Sequence, residues 1–441
     1  MTGSPDLSIG TQAGRGGKSG FLRLFSVAVI DQALLSGANF LIGILLLRNT
    51  VDADYGLYVM AYSALVLVQG VQTALIDGPM MVIGAKKAEL ERRRMVGGLF
   101  GLLGWLIAPL ALVTAASIAL AGANNWLSPS VTAVALATSL VAVTVVFREF
   151  LRHVLLLNRR PDSLLRSDGL YVVLAIAGAV LATQLFAPAA APYVVLGLGC
   201  AALVAIFYSY RLVATDSAWT GGGGIAAFTE TWRLGKWGAV GCVVTWIRQQ
   251  GFYYMLAALL SIEAVAAVAA ARLLIMPVNL LVTGVGQQLL PVASRWLSEL
   301  GERALVLRAL AIGVLLLTGA LAYFAVLWLM REWVMVDLLK RDSTGLDGLL
   351  LLWGAVFGIM TVRHATMIVV QALERFDFLV YVSFVSTPAS LLVGYWGITQ
   401  YGAGGALLGL IAAELIDLTS NSCLMLRRLW QRRRSASAVG S

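Results

Sequence analysis

The chain has 441 residues, of which 59% are apolar and only 12% charged, with a formal net charge of +9. A soluble domain carries about 25% charged residues, so this composition leaves too little polar surface to coat a water-soluble body. The apolar residues come in long runs without alternation, which excludes a membrane barrel and points to helices of about 20 residues that span a bilayer.

Residues 1–24 are polar, glycine-rich and basic (Arg15, Lys18, Arg23) and hold no apolar stretch ahead of a cleavage site. They read as a cytoplasmic tail in front of a retained first helix. Gly17-Lys18-Ser19 hints at a phosphate loop, but Gln12 stands where that motif needs a glycine and no strand precedes it. Spanning helices are predicted at 25–47, 55–77, 97–120, 129–147, 168–186, 193–213, 235–259, 264–290, 305–330, 347–370, 377–398 and 403–426. Alternate connections then collect the positive charge. One side receives Lys86, Lys87 and Arg92 to Arg94, then Arg148, Arg152, Arg159, Arg160 and Arg166. Arg211, Arg233, Lys236, Arg295, Arg303, Arg308, Arg375, Arg427, Arg428 and Arg432 to Arg434 follow. The other side mixes Arg48, Arg331, Lys340 and Arg341 with Asp52, Asp54, Glu332, Asp337, Asp342 and Asp347. Basic residues mark the cytoplasmic side, so both ends are expected in the cytoplasm. The same placement argues against a nucleic-acid partner.

The run Gly221 to Gly224 falls in the longest connection near the middle, and glycine runs make flexible linkers. The chain is therefore divided into a cytoplasmic tail (1–24), an N-lobe of six helices (25–213), a linker (214–234), a C-lobe of six helices (235–426) and a basic tail (427–441). The expected fold is all-α, a polytopic membrane protein of about twelve helices in two pseudo-symmetric lobes around a central cavity. The order of features repeats between halves. An acidic turn (Asp52-Ala53-Asp54, or Glu263) precedes a long helix that ends at a proline (Pro79, Pro291), and a charged stretch follows (Lys86 to Arg94, Arg295 to Arg303). Six helices per half makes this a parallel repeat, a transporter plan with its site between the halves.

Ionisable side chains inside spans are expensive and face a bundle interior or a wet cavity. Asp31 lies two turns into the first helix. Arg248, followed by Gln249 and Gln250, lies near the middle of the seventh, and Arg272 in the outer half of the eighth. Glu414 and Asp417 share a face of the twelfth, and Arg363 and His364 sit toward the cytoplasmic end of the tenth. Amides concentrate in the opening helices of each half: Asn39, Gln69 and Gln72, then Asn279, Gln287 and Gln288. Together these predict a polar cavity between the halves. Arg248, Arg272, Gln249, Gln288, Gln72 and Asn39 are its substrate-binding candidates, and Asp31, Glu414 and Asp417 its cation-coupling candidates. Two open alternatives are that the charges pair structurally with one another and that Arg363 snorkels to the interface. Cys200, Cys242 and Cys423 sit singly in apolar segments, and only two histidines occur, so neither disulfides nor a metal site are expected. No cofactor and no catalytic residue are predicted.

Asp54-Tyr55-Gly56-Leu57-Tyr58, opening the second helix after Arg48, resembles bacterial polysaccharide flippases, the O-antigen and exopolysaccharide translocases of the multidrug/oligosaccharidyl-lipid/polysaccharide exporter superfamily. The stretch Ala269 to Pro277, running on to Pro291, looks like the matching eighth helix, and Gln371 to Arg375 resembles the end of the tenth. The resemblance covers these helices, and the rest of the chain by layout. It implies two lobes around a cavity that opens alternately to each side of the inner membrane. It also implies an undecaprenyl-diphosphate-linked oligosaccharide as substrate, with membrane lipids and other polysaccharide-assembly proteins as partners. Arginine suits a diphosphate through its planar fork. The nearest rival is a cation-coupled drug exporter of the same superfamily, which would want an acidic cavity. The related peptidoglycan-precursor flippase usually carries two further helices. A membrane-embedded polysaccharide-synthesis enzyme would need catalytic acids, for which only the outer loop at 331–347 offers candidates.

Overall fold

The computed structural model describes residues 13–214, 223–339 and 346–439; among these, the side chains of 13–26, 28, 280, 281, 283, 287, 288, 338 and 432–439 lie outside the described set. Every regular element in the described residues is helical. In hydrocarbon each backbone N–H and C=O must be satisfied within its own segment, which a helix does. The order is α1 (Ala13–Asn49), α2 (Asp52–Gln72), a π-helical turn (Thr73–Asp77), α3 (Gly78–Gly84), α4 (Glu89–Ala123), α5 (Pro129–Leu157), α6 (Pro161–Phe186) and α7 (Ala191–Ala214). There follow α8 (Gly224–Leu259), α9 (Ile262–Leu329), a second π-helical turn (Trp333–Leu338), α10 (Leu346–Ala372), α11 (Phe376–Tyr401) and α12 (Gly405–Val439).

Local chemistry sets the boundaries. Ser128 accepts a hydrogen bond from the Val131 N–H (3.4 Å) just ahead of Pro129, and Ser261 accepts from the Ala264 N–H (3.3 Å). Side-chain oxygens at these positions satisfy donors that the first turn leaves orphaned. The α7 N-terminus is capped from a distance: the buried Asp54 carboxylate accepts the Ala191 N–H at 2.9 Å. The acidic turn before α2 is thus a cap for another helix.

α2, the π turn and α3 form one rod, with Pro79 in the first turn of α3. α9 is two arms joined at Gly301, whose φ of 80° is open to glycine and strained for other residues. The arms return side by side, and Tyr323 Oη donates to the Leu274 carbonyl at 2.7 Å. Ten segments are long and apolar enough to cross a membrane. One of them, Phe376–Gln431, holds both α11 and α12. Adding α8, a 36-residue helix outside that set, gives the twelve rods expected.

Several boundaries differ from expectation, among them the start of α4 at Glu89 (expected at 97), the end of α5 at Leu157 (expected at 147) and the start of α6 at Pro161 (expected at 168). α1 is already helical from Ala13, within the expected tail. Of the expected linker at 214–234, residues 215–222 lie outside the described residues, and the rest is helix from Gly224 onward. The outer loop at 331–347 contains the second π turn, with 340–345 outside the described residues.

In the first half α1 lies on α6, and α5 lies between α4 and α7. In the second, both arms of α9 enclose α10, and α11 pairs with α12. α2 runs along α8 and the first arm of α9 and joins the halves. Trp246 Nε1 donates to the Ser63 carbonyl (2.7 Å), and the Tyr254 hydroxyl lies 3.0 Å from Ser63 Oγ. Twelve crossings put the start of α1 and the end of α12 at one end of the bundle, here the basic end. There Lys87 pairs with Glu230 of α8 at 2.8 Å. At the far end the halves touch backbone to backbone: a Cβ on Gly56 would sit 2.3 Å from the Ile262 carbonyl oxygen.

Candidate functional site

The polar residues gather in two separate buried clusters, one in each half. In the N-lobe α5 supplies Arg148, Glu149, Arg152 and His153, spaced to share one helix face. Asp168 of α6 is fully buried and binds both arginines, Arg148 and, at 2.7 Å, Arg152 Nε. Arg152 also reaches Asp31 of α1 at 2.8 Å and Glu149 at 3.0 Å. Arg148 stacks on the Tyr171 ring, 3.7 Å from its centroid. Gln69 donates to Glu149 (2.7 Å), and Gln72 donates to the Val146 carbonyl (2.9 Å). His153 Nδ1 stands 3.6 Å from both Asp77 and Glu149.

Four carboxylates here (Asp31, Asp77, Glu149, Asp168) face two guanidiniums, so the cluster carries an excess of acid. Among the described residues Asp31 Oδ1, Gln72 Oε1 and Asp77 Oδ2 are buried with no hydrogen-bond partner. Buried oxygens in that state mark an unmet demand for a proton or a cation. Asp77 closes the π turn of the α2 rod, an irregularity frequent at functional sites.

In the C-lobe charge balances. Arg248 binds Asp417 at 2.6 Å and lies 3.4 Å from Ser386 Oγ. Arg363 binds Glu414 and leans on Met367. His364 packs beside it, and Asn421 donates to Thr366 at 3.4 Å.

Arg272 differs from all of these. Its Nη1 donates to the Gln250 amide oxygen (3.3 Å) and to the Tyr253 hydroxyl (3.2 Å). Its guanidinium lies 5.5 Å from the Trp353 ring centroid, and that ring is fixed by a 2.9 Å bond from its own N–H to the Val268 carbonyl. Among the described residues no carboxylate pairs with Arg272, and its Nε and Nη2 have no hydrogen-bond partner.

The sequence-predicted residues therefore do not converge. Arg248 turns toward α11 and α12. Gln250 and Tyr253, which hold Arg272, are about 200° and 140° further around α8 at 100° per residue. Gln249 is exposed between these faces, and the Gln288 side chain lies outside the described residues. Asn39 donates to Tyr62 Oη at 2.6 Å. Like Gln69 and Gln72, it spends its amide inside the N-lobe and not across the halves. Asp31, Glu414 and Asp417 each face an arginine. Arg148 and Arg152, expected in a cytoplasmic connection, are instead within α5 and largely buried. The described cavities are apolar: a groove of 390 Å³ among α2, α4, α5 and Tyr254, and one of 460 Å³ among the α9 arms, α10 and Leu418 of α12.

Sequence reasoning missed Glu149, Asp168 and Asp77. The first two adjoin basic residues that read as a loop, and Asp77 falls on the last position of a predicted helix. The available signal was the company these acids keep: Glu149 between Arg148 and Arg152, and Asp168 two positions after Arg166 at the start of an apolar run.

No family model matches the chain, and no curated protein matches it. Solved structures share its fold. An inward-facing multidrug resistance MATE family transporter of the MOP superfamily superposes with a TM-score of 0.70 at 15% identity, covering 93% of this chain and 96% of that one. The lipid II flippase MurJ in an inward closed conformation gives 0.69 at 12% identity, covering 90% and 86%. An outward-facing MATE transporter gives 0.62 at 15% identity, covering 95% and 97%. The chain therefore has the MATE/MurJ-like transporter fold.

Proposed function

We propose that this chain is a flippase that moves an undecaprenyl-diphosphate-linked oligosaccharide across the bacterial inner membrane by alternating access, for cell-surface polysaccharide assembly. The observation that carries this reading is Arg272, a permanently charged side chain inside the membrane, clamped by aromatic rings and an amide and without a carboxylate of its own. A half-buried cation at membrane depth is retained at such cost when an anion arrives to meet it. Its free Nε and Nη2 form the edge that grips one phosphate with two parallel bonds. Gln249, exposed on α8, supplies a donor for a sugar hydroxyl. Arg248 is held in reserve by Asp417. In this reading Asn39 and Gln72 maintain the N-lobe network.

Cation coupling is assigned to Asp31 because it belongs to the acid-rich N-lobe network; Asp31 and Asp417 each hold an arginine through one oxygen and leave the other without a partner, while Glu414 holds Arg363. The acid excess of the N-lobe also favours a second reading, a cation-coupled multidrug exporter; some of the structural neighbours are multidrug resistance transporters.

One experiment separates the two. Purified protein in proteoliposomes is given a fluorescent prenyl-diphosphate oligosaccharide, and leaflet exchange is read by quenching. The flippase reading expects exchange by the parent protein and a loss of tenfold or more in Arg272→Ala, since a charge-assisted hydrogen bond contributes about 1.5–3 kcal/mol. Full exchange by Arg272→Ala would remove the arginine from the site. No exchange by the parent, with gradient-driven efflux of a cationic dye instead, would establish the exporter.

A further inference from the structure

At the basic end of the C-lobe, α12 does not stop where the membrane does. Its 35 residues span about 52 Å, against a hydrocarbon thickness of about 30 Å. The projecting part meets the elbow of α9, where the chain reverses at Gly301. A separate apolar core, including Ala293, Leu305, Ala309, Val369 and Met425, packs these pieces together with the end of α10. Arg428 is tied to Glu302 across the junction at 3.4 Å. Arg308 lies 5.4 Å from the Trp296 ring centroid. The platform is therefore built and held, and is not a loose tail.

Its surface is cationic and oily at once. Arg295, Arg303, Arg308 and Arg427 are exposed, and Glu299 is the exposed acid beside them. Between them stand Leu300, Leu307, Leu426 and Trp430, at 48%, 59%, 66% and 54% exposure. Large apolar side chains held open next to arginines, at the height where a bilayer changes from hydrocarbon to headgroups, match an amphiphile with an anionic head. Several other basic residues at this end are instead paired with acids: Arg92 and Arg93 with Glu89, Lys87 with Glu230, and Arg375 with Asp377.

We infer that this platform is a docking surface for anionic phospholipid, whose phosphates bind the exposed arginines while Trp430 and the leucines enter the adjoining acyl region. The inference does not depend on what the protein transports.

The test uses the full chain in nanodiscs of zwitterionic lipid doped with phosphatidylglycerol. Lipid retained on release from the disc is counted by native mass spectrometry. Each arginine near a charged surface contributes about a fivefold factor. Arg295→Ala/Arg303→Ala/Arg427→Ala is therefore expected to lose phosphatidylglycerol tenfold or more, while the triple lysine variant keeps most of it. Binding should also weaken as salt rises. Equal retention of phosphatidylcholine and phosphatidylglycerol by the parent, or unchanged retention by a triple alanine variant that elutes as a folded monodisperse species, would overturn the proposal. If the alanine variant fails to fold, the parent's lipid preference and its salt dependence still decide.

Discussion

Arg248 and Arg272 look alike in the sequence, each an arginine within an apolar helix, yet their partners separate them. Arg248 has a carboxylate 2.6 Å away; Arg272 has an amide, a phenol and a ring. Removing one member of a buried pair leaves the other charge unmet, at a cost of about 3–5 kcal/mol. Arg248→Ala is therefore expected to lower the thermal midpoint and the folded yield sharply, and Arg248→Ala/Asp417→Asn to recover most of the loss. A midpoint that Arg248→Ala leaves unchanged would argue against the pair. Arg272→Ala, with no stranded acid, should remain folded. The sequence identified both arginines as costly, because twelve hydrophobic runs place them at membrane depth. It could not show which was paired, since Arg248 and Asp417 are 169 positions apart and no local spacing records such a contact. It misplaced Arg148 and Arg152 for a related reason. The positive-inside rule treats an arginine near a helix end as a loop residue, whereas Asp168, Asp31 and Glu149 hold these two inside.

Helices were legible as elements, and their irregularities were not. Runs of Leu, Val and Ala fix twelve rods, but the π turn at Thr73–Asp77 and the long helical start of α8 leave no clear mark in periodicity. Of the glycine run read as a linker, Gly221 and Gly222 lie outside the described residues, and α8 begins at Gly224. The contact of α2 with α9 at the far end gives a test at this scale. Gly56 has no room for a side chain against the Ile262 carbonyl, so Gly56→Val should prevent far-end closure while leaving each lobe intact. Spin labels on the far ends of α2 and α9 would then report a longer mean distance than in the parent. An unchanged distance distribution would mean that the contact is not what holds that end shut.

The whole molecule keeps the expected plan of six helices and six, with a twist in its electrostatics. The first helix of the N-lobe carries an acid, Asp31, and the first helix of the C-lobe carries Arg248. The fourth helix of each half carries inward arginines, Arg148 and Arg363, each nine positions before its helix ends. The two halves are thus built alike and charged differently: acid-rich in one, and in the other paired except for Arg272. Orientation is testable on the same scale. A reporter active only outside the cytoplasm should stay silent when fused after Val439 and respond when fused near Leu339. The reverse pattern would invert the assignment of the basic end.

The bond between Asp31 and Arg152 has a consequence for how the protein is made. The two residues are 121 positions apart. At a synthesis rate of about 5–20 residues per second, the acid emerges on the order of ten seconds before the base that will neutralise it. Asp168, which completes the network, follows Arg152 by only 16 positions. The Asp31 network is therefore completed only when the fourth and fifth helices arrive. The N-lobe then assembles as a late, joint event and not one hairpin at a time.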